Sequence, residues 1–111
     1  MFQIIVNLAG VTYRDAQENI KRFGCRDIGS FALIREPENA YDSNAIRVEV
    51  AGFFLGYVPK DTAKRLSPLM DAGREFLALF VRRNESPYHA TVGLMVKIVE
   101  VTNEKTVSAC Q

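Results

Sequence analysis

The sequence predicts a mainly β protein with two short helices, built as a small barrel of about six strands. Six segments rich in β-branched and aromatic residues are separated mostly by short turns, and two further segments show the apolar spacing of a helix. One hairpin and the last pair of strands are antiparallel, and two helices are too few to wind a parallel α/β sheet. A closed or nearly closed barrel with helices at its ends is therefore the expected architecture.

The strands are predicted at residues 2–8, 30–35, 44–50, 53–58, 75–83 and 90–102. Within the third, Ile46 and Val48 alternate with Arg47 and Glu49, which is the period of a half-buried strand. The dipeptide Ala51-Gly52 predicts a hairpin turn between the third and fourth strands, and the loop NESPYH joins the last two.

The helices are predicted from their start and stop signals. Thr12 is the expected N-cap of a first helix over residues 13–22. A second helix is expected to start at residue 61 or 62. Ser67 followed by Pro68 predicts that a new helical turn begins there and ends at Gly73, because proline is favoured at the first helical position.

Composition indicates one soluble domain. The chain has 111 residues, of which 48% are hydrophobic and 24% charged, so residues 1–102 are expected to form one domain and residues 103–111 a flexible C-terminal tail. The formal net charge is only +1, so attraction to nucleic acid or a membrane surface would have to come from local clusters.

Neither a cofactor nor a metal is predicted. Cys25 and Cys110 are far apart in sequence and lack a CxxC motif or a histidine partner, so we expect reduced thiols. The apolar N-terminus MFQIIVNLAG is too short to span a membrane and has no basic segment before it. We therefore expect a cytoplasmic protein without a membrane partner, with nucleoid association as an alternative.

Covalent catalysis has little support in the sequence. It has one histidine, His89, and no HExxH, GxSxG or glycine-rich phosphate motif. Glu36, Glu38 and Asp42 are candidate acid–base groups, but charged residues beside a proline turn are usually solvated. The chain is predicted not to be an enzyme.

A local basic cluster offers modest support for nucleic-acid binding. Residues 60–83 are net positive through Lys60, Lys64, Arg65, Arg74, Arg82 and Arg83. Phosphates require such a patch, since each contact releases a condensed counterion. The charge pattern alone favours the alternative, in which Lys60, Lys64 and Arg65 are the solvated face of an amphipathic helix.

The stretch REPENAYDSNAI, residues 35–46, holds the most specific chemistry. The ring of Tyr41 could stack on an unpaired base, and Asn39 has both a donor and an acceptor for a base edge. The carboxylate of Asp42 repels phosphate and suits a hydroxyl or an exocyclic amine. In the alternative interpretation, Asn39, Asp42 and Ser43 hold a tight turn and Tyr41 lies on the core.

The runs REPENAYDSNAIRVEV and FLGYVPKDTAKRLSPLMDAG closely resemble the HIRAN domain, with its pattern R-[ED]-P-x-N-x-Y-D-x-N-A-[IV]. The upstream AGVTY also fits, and the resemblance covers about residues 7–73. It implies an OB-like or SH3-like barrel that captures single-stranded DNA at a free 3′-hydroxyl end. HIRAN domains occur fused to helicase-like remodellers and nucleases, so such a partner, and a role in DNA repair or replication-fork processing, are expected.

The resemblance also implies roles for individual residues. Tyr41 matches a base-stacking aromatic and Asp42 the carboxylate that receives the 3′-hydroxyl. Asn39 matches a polar contact and Tyr13 a second aromatic in the same pocket. Lys60 matches a phosphate contact at the start of a helix. Lys64, which belongs to the basic cluster, is an additional candidate without a match in the family pattern. Tyr57 stands where eukaryotic members often have histidine.

Two departures from the family pattern weaken this assignment. Family members that bind DNA ends have an arginine just before the position of Tyr13, where this chain has Thr12. Arg14 follows one place later and is expected to point elsewhere, which makes it an additional candidate only. The family also places a phenylalanine of the penultimate loop on the terminal base, and Tyr88 or His89 could replace it here.

Two non-catalytic functions therefore remain open. The first is a module that binds single-stranded DNA at a free 3′-hydroxyl. The alternative is a protein- or peptide-interaction module that uses the same aromatic pocket, because barrels of this kind serve many ligands.

Overall fold

The computed structural model of the protein describes residues 2–101, which form a single six-stranded antiparallel sheet with two α-helices. The elements are β1 (Gln3–Asn7), α1 (Ala16–Phe23), a 3₁₀ turn (Arg26–Ile28), β2 (Ser30–Arg35), β3 (Ile46–Val50), β4 (Phe53–Tyr57), α2 (Lys60–Asp71), β5 (Glu75–Ser86) and β6 (His89–Val101). The strand order is β1-β6-β5-β2-β3-β4, so the sheet begins and ends on strands far apart in sequence.

The sheet curls until its two edge strands meet. Just after β1, the Ala9 N–H donates to the Tyr57 carbonyl at 2.7 Å, and the Tyr57 N–H donates to the Ala9 carbonyl at 2.8 Å. Gly56 permits this contact, because its φ is +152° and a Cβ there would lie 2.9 Å from the Ala9 oxygen. The predicted mainly β, barrel-like architecture is confirmed.

The core fills the inside of this curled sheet. β3 has its predicted alternation, with Ile46 and Val48 fully buried and Arg47 half-exposed. Helix α1 contributes Ile20 and α2 contributes Leu66. Other large side chains with almost no exposure are Phe31, Leu55, Leu94, Val96 and Ile98.

The predicted start of the first helix is wrong. Helix α1 begins at Ala16, and Asp15 rather than Thr12 holds the N-cap position. Gly10 and Arg14 both adopt positive φ, at +61° and +51°, so residues 10–15 form turns and not a helix. Tyr13 therefore lies in a turn before the helix.

The predicted break in the second helix is also wrong. Helix α2 runs without interruption from Lys60 to Asp71, and Pro68 lies inside it. Ser67 is buried and caps nothing; its hydroxyl donates to the Asn44 side-chain oxygen at 3.0 Å. Packing against the barrel and this long-range bond outweigh the local preference of proline for a helix start.

The last two strands are longer than expected. β5 and β6 pair as far as Ser86 and His89, so most of the predicted loop NESPYH is strand and only Pro87 and Tyr88 make the turn. Bulges interrupt the register between Phe80 and Arg82 and between Asn84 and Ser86. The predicted hairpin at Ala51-Gly52 is present between β3 and β4.

Met1 and residues 102–111 lie outside the described part of the chain. The predicted tail, residues 103–111, and Cys110 fall there. Within residues 2–101, no helix is long and apolar enough to cross a membrane.

Candidate nucleic-acid interface

A cavity of about 650 Å³ lies where the edges of the barrel meet. Its walls come from four places: the turns before α1, the loop between β2 and β3, the end of β4 and the start of α2. The lining residues are Ala9, Tyr13, Arg14, Asn39, Ala40, Tyr41, Asp42, Ala45, Tyr57, Val58 and Lys60. Ligand pockets in proteins have volumes in this range, roughly 300–1,000 Å³.

All six principal site residues predicted from the sequence line this cavity. They are Tyr13, Asn39, Tyr41, Asp42, Tyr57 and Lys60. Of the four additional candidates, only Arg14 joins them. Lys64 lies one turn further along α2, while Tyr88 and His89 lie at the tip of the β5–β6 hairpin and do not line the cavity.

The Asn39 side chain organises the loop between β2 and β3. Its Oδ1 accepts the N–H groups of Tyr41 and Asp42, at 2.8 and 3.1 Å, and its Nδ2 donates to Glu36 at 2.9 Å. Both acceptor positions of the amide oxygen are thereby occupied, and one N–H remains for a ligand. The predicted turn role of Asn39 is confirmed.

Asp42 combines a turn role with an available oxygen. Its Oδ1 accepts the N–H of Asn44 at 2.9 Å, and its backbone carbonyl accepts the N–H of Ala45 at 3.0 Å. Its Oδ2 accepts no hydrogen bond from residues 2–101. The half-exposed carboxylate is thus fixed at the cavity with one oxygen able to accept a further bond.

One interpretation of the sequence expected Tyr41 to lie on the core, and the structure shows that it does not. The residue is 96% exposed, although its backbone N–H is held by the Asn39 side chain. Burial therefore does not explain an aromatic residue at this position.

Two further aromatic rings line the cavity. Tyr13 and Tyr57 meet edge to face with their ring centroids 6.5 Å apart, and Tyr13 is 60% exposed. Gly10 allows this approach, because a Cβ there would lie 3.0 Å from the ring of Tyr13 and 3.1 Å from that of Tyr57. The loop between β2 and β3, the turn before α1 and the end of β4 therefore each contribute an aromatic ring to the cavity.

Glu36 connects the loop between β2 and β3 to the end of β4. Its Oε1 accepts bonds from the Tyr57 hydroxyl and from Asn39, both at 2.9 Å, and its Oε2 pairs with Arg47 at 3.2 Å. Burial acts to raise the pKa of Glu36, but these hydrogen bonds outweigh it and the pKa lies below its usual value. Burial and the bond to Glu36 raise the pKa of Tyr57.

Two positively charged side chains line the cavity, and they belong to different parts of the fold. Lys60 is the exposed first residue of α2, and Arg14 lies in the turn after Tyr13 with its guanidinium 4.8 Å from the centroid of the Phe54 ring. The expectation that Arg14 points away from the site is wrong, because the left-handed backbone of its turn directs the chain differently from a helix.

The candidate acid–base residues do not provide a free pair of carboxylates at the cavity. Both oxygens of Glu36 are engaged in the contacts described above, and Glu38 does not line the cavity. Among residues 2–101, no group of three or more histidine, cysteine or acidic side chains could hold a metal ion.

Two structural contributors escaped the sequence analysis. Glu36 entered it only as a candidate acid, whereas its hydrogen bonds join the loop to β4. Gly10 entered it as part of the stretch AGVTY, whereas it makes room for two rings. The only available signal for Glu36 was its spacing three residues before Asn39, which lets a side-chain bond close the turn.

Protonation of Glu36 should weaken the fold. Its folded-state pKa is below the ordinary value of 4.5, so its ionised form contributes stability that is present above that pH and lost as the pH falls through the lower folded value. We expect the difference in unfolding free energy between wild type and Glu36→Gln to shrink at acid pH. Urea unfolding from neutral pH to about pH 3 measures it.

Glu38→Gln, which changes an exposed acid nearby by the same charge, is the control for this experiment. A difference between wild type and Glu36→Gln that stays constant with pH would contradict the role assigned to the carboxylate.

The open cavity of this small barrel combines aromatic rings, two cations and a carboxylate, all of which are groups that can contact a ligand. The HIRAN domain pattern matches residues 1–103, and the chain belongs to this family. The HIRAN domain is known as a DNA-binding module. The fold is thus that of a domain class known for DNA binding.

Two plant proteins share part of this sequence. A Fanconi-associated nuclease 1 homolog from Oryza sativa subsp. japonica is 42% identical over 62 residues, which are 52% of this chain and 6% of that protein. The homolog of the same name from Arabidopsis thaliana is 51% identical over 45 residues, or 39% of this chain and 5% of that protein. The matched region is therefore a small part of those relatives.

Two solved structures share the fold. A protein from Lactobacillus plantarum superposes with a TM-score of 0.65 and 24% identity, covering 90% of this chain and 100% of that one. The HIRAN domain of human HLTF superposes with a TM-score of 0.62 and 24% identity, covering 96% and 84% of the two chains. Both support the barrel described above.

Proposed function

We propose that this chain binds single-stranded DNA at a free 3′-hydroxyl end and performs no covalent chemistry. The observation that carries the proposal is the composition of the cavity. Exposed Tyr41 and Tyr13, the cations Lys60 and Arg14, and a carboxylate oxygen of Asp42 that has no hydrogen-bond partner among residues 2–101 surround one space.

Each group suits a different part of a terminal nucleotide. Aromatic rings stack on any base, at about 1–3 kcal/mol per base. Cations contact the phosphates. A carboxylate beside these cations repels phosphate, but it accepts a hydrogen bond from a sugar hydroxyl. A strand that ends in a free hydroxyl satisfies all three.

Fluorescence polarisation with three matched labelled strands tests the proposal. One strand ends in a 3′-hydroxyl, one in a 3′-phosphate and one is circular. We expect the hydroxyl-ended strand to bind more tightly than the other two. Equal affinity for all three would contradict end recognition, and an absence of binding to any of them would contradict DNA binding.

The salt dependence separates this function from the alternative of a peptide-binding module. DNA affinity should fall steeply with added salt because counterions are released, whereas an apolar peptide in the aromatic pocket should be almost insensitive. An intact labelled strand after incubation with divalent metal would argue against a third function, a nuclease.

The relatives suggest where such binding would act. Two are Fanconi-associated nuclease homologs, which supports a role in DNA repair or replication-fork processing with a nuclease or helicase partner. In that role the barrel would hold the DNA end while a partner carries out the chemistry.

A further inference from the structure

Arg14 has a strained backbone at the wall of the cavity. Its φ of +51° is left-handed, and among non-glycine residues of the described chain only Ala51 shares a positive φ. Ala51 belongs to a two-residue hairpin turn, which requires that conformation. Arg14 follows Tyr13 in a turn closed by the Ala16 N–H and the Tyr13 carbonyl at 3.0 Å, where glycine would fit without strain.

The side chain of Arg14 is oriented without being neutralised. Its guanidinium carbon lies 4.8 Å from the centroid of the Phe54 ring, which is itself 7% exposed. Within residues 2–101, no carboxylate or carbonyl accepts a hydrogen bond from it. The group keeps its N–H donors free while one face rests on an aromatic ring.

We infer that Arg14 forms a phosphate subsite of the cavity, for the phosphate that joins the last two nucleotides of the bound strand. This inference rests on the proposed function. A planar guanidinium can donate two parallel hydrogen bonds to phosphate oxygens. Because the guanidinium already stacks on Phe54, the Arg14 side chain loses less conformational freedom when it binds a phosphate. Backbone strain of this kind concentrates at binding sites, where the gain in ligand contacts offsets it.

The variant Arg14→Gly removes the guanidinium at little risk to the fold, because glycine adopts positive φ freely. We expect an equal or higher unfolding temperature. Affinity for a hydroxyl-ended oligonucleotide should fall roughly tenfold, and the slope of log K against log salt should become shallower by about 0.7, the value for one phosphate contact in a single strand. Arg14→Lys should restore the slope but not the full affinity.

A matched control is Arg22→Ala. Arg22 also stacks on a phenylalanine, 4.9 Å from the centroid of Phe23, but it does not line the cavity. We expect it to leave affinity and slope close to those of wild type. Equal losses in both variants would indicate a general charge effect and overturn the inference.

The route of the strand provides a second way to refute it. One outcome would overturn the role of Arg14 alone. In it, the wild type prefers a 3′-hydroxyl end, Arg14→Gly keeps the wild-type affinity and salt slope, and Lys64→Ala has a shallower salt slope. The phosphate would then lie along α2. Wild type that binds none of the strands would overturn the proposed function as well. The two failures are therefore distinguishable.

Discussion

Replacing Tyr41 with alanine is expected to weaken binding of a hydroxyl-ended single strand about 5- to 150-fold, the loss of one stacked base at roughly 1–3 kcal/mol. The stability of the fold should be unchanged within about 0.5 kcal/mol, because the side chain is 96% exposed. Fluorescence polarisation measures the first effect and urea unfolding the second.

Tyr88→Ala is the matched control for that experiment. Tyr88 is 88% exposed but lies at the tip of the β5–β6 hairpin and does not line the cavity. It should retain wild-type affinity. If both substitutions weakened binding equally, stacking would not be confined to the cavity, and the account of Tyr41 would fail.

The largest effect on stability is expected from Gly56→Ala. A Cβ at Gly56 would lie 2.9 Å from the Ala9 carbonyl oxygen, and the φ of +152° is strained for any other residue. The clash falls on the backbone bonds that join β1 to β4. We expect a loss of about 3 kcal/mol of unfolding free energy in urea, since neither backbone can yield without breaking that junction.

Gly52→Ala separates the two causes. Gly52 also has positive φ, +84°, but nothing lies within 4 Å of the added Cβ. It should cost about 1 kcal/mol, the conformational term alone. A loss at position 56 no larger than that at position 52 would show that the barrel tolerates separation of β1 from β4.

The strands were predictable because their signals are local. The alternation of Ile46 and Val48 with Arg47 depends on one buried face, and the Ala51-Gly52 turn depends on the two residues themselves. The ends of the helices and strands were less predictable than their presence. Pro68 reads as a helix start, but helix α2 continues through it because its apolar side packs on the barrel.

The site was predictable only in part, because some of its contacts join residues that are far apart in sequence. The family pattern identified Tyr41, Asp42 and Lys60, and these do line one cavity. The hydrogen bond from Tyr57 to Glu36, 21 positions away, and the strained turn at Arg14 depend on the curled sheet, which no short stretch of sequence encodes.

The most direct test of end recognition is the variant Asp42→Asn, measured by fluorescence polarisation with the hydroxyl-ended, phosphate-ended and circular strands. The amide oxygen of asparagine can still accept the Asn44 N–H that Asp42 holds at 2.9 Å, so the loop should stay intact. We predict that the preference for the hydroxyl end disappears, that affinity for the circular strand is nearly unchanged, and that the phosphate-ended strand binds better than before. A preference for the hydroxyl end that survives this substitution would contradict the role of Asp42 as its acceptor.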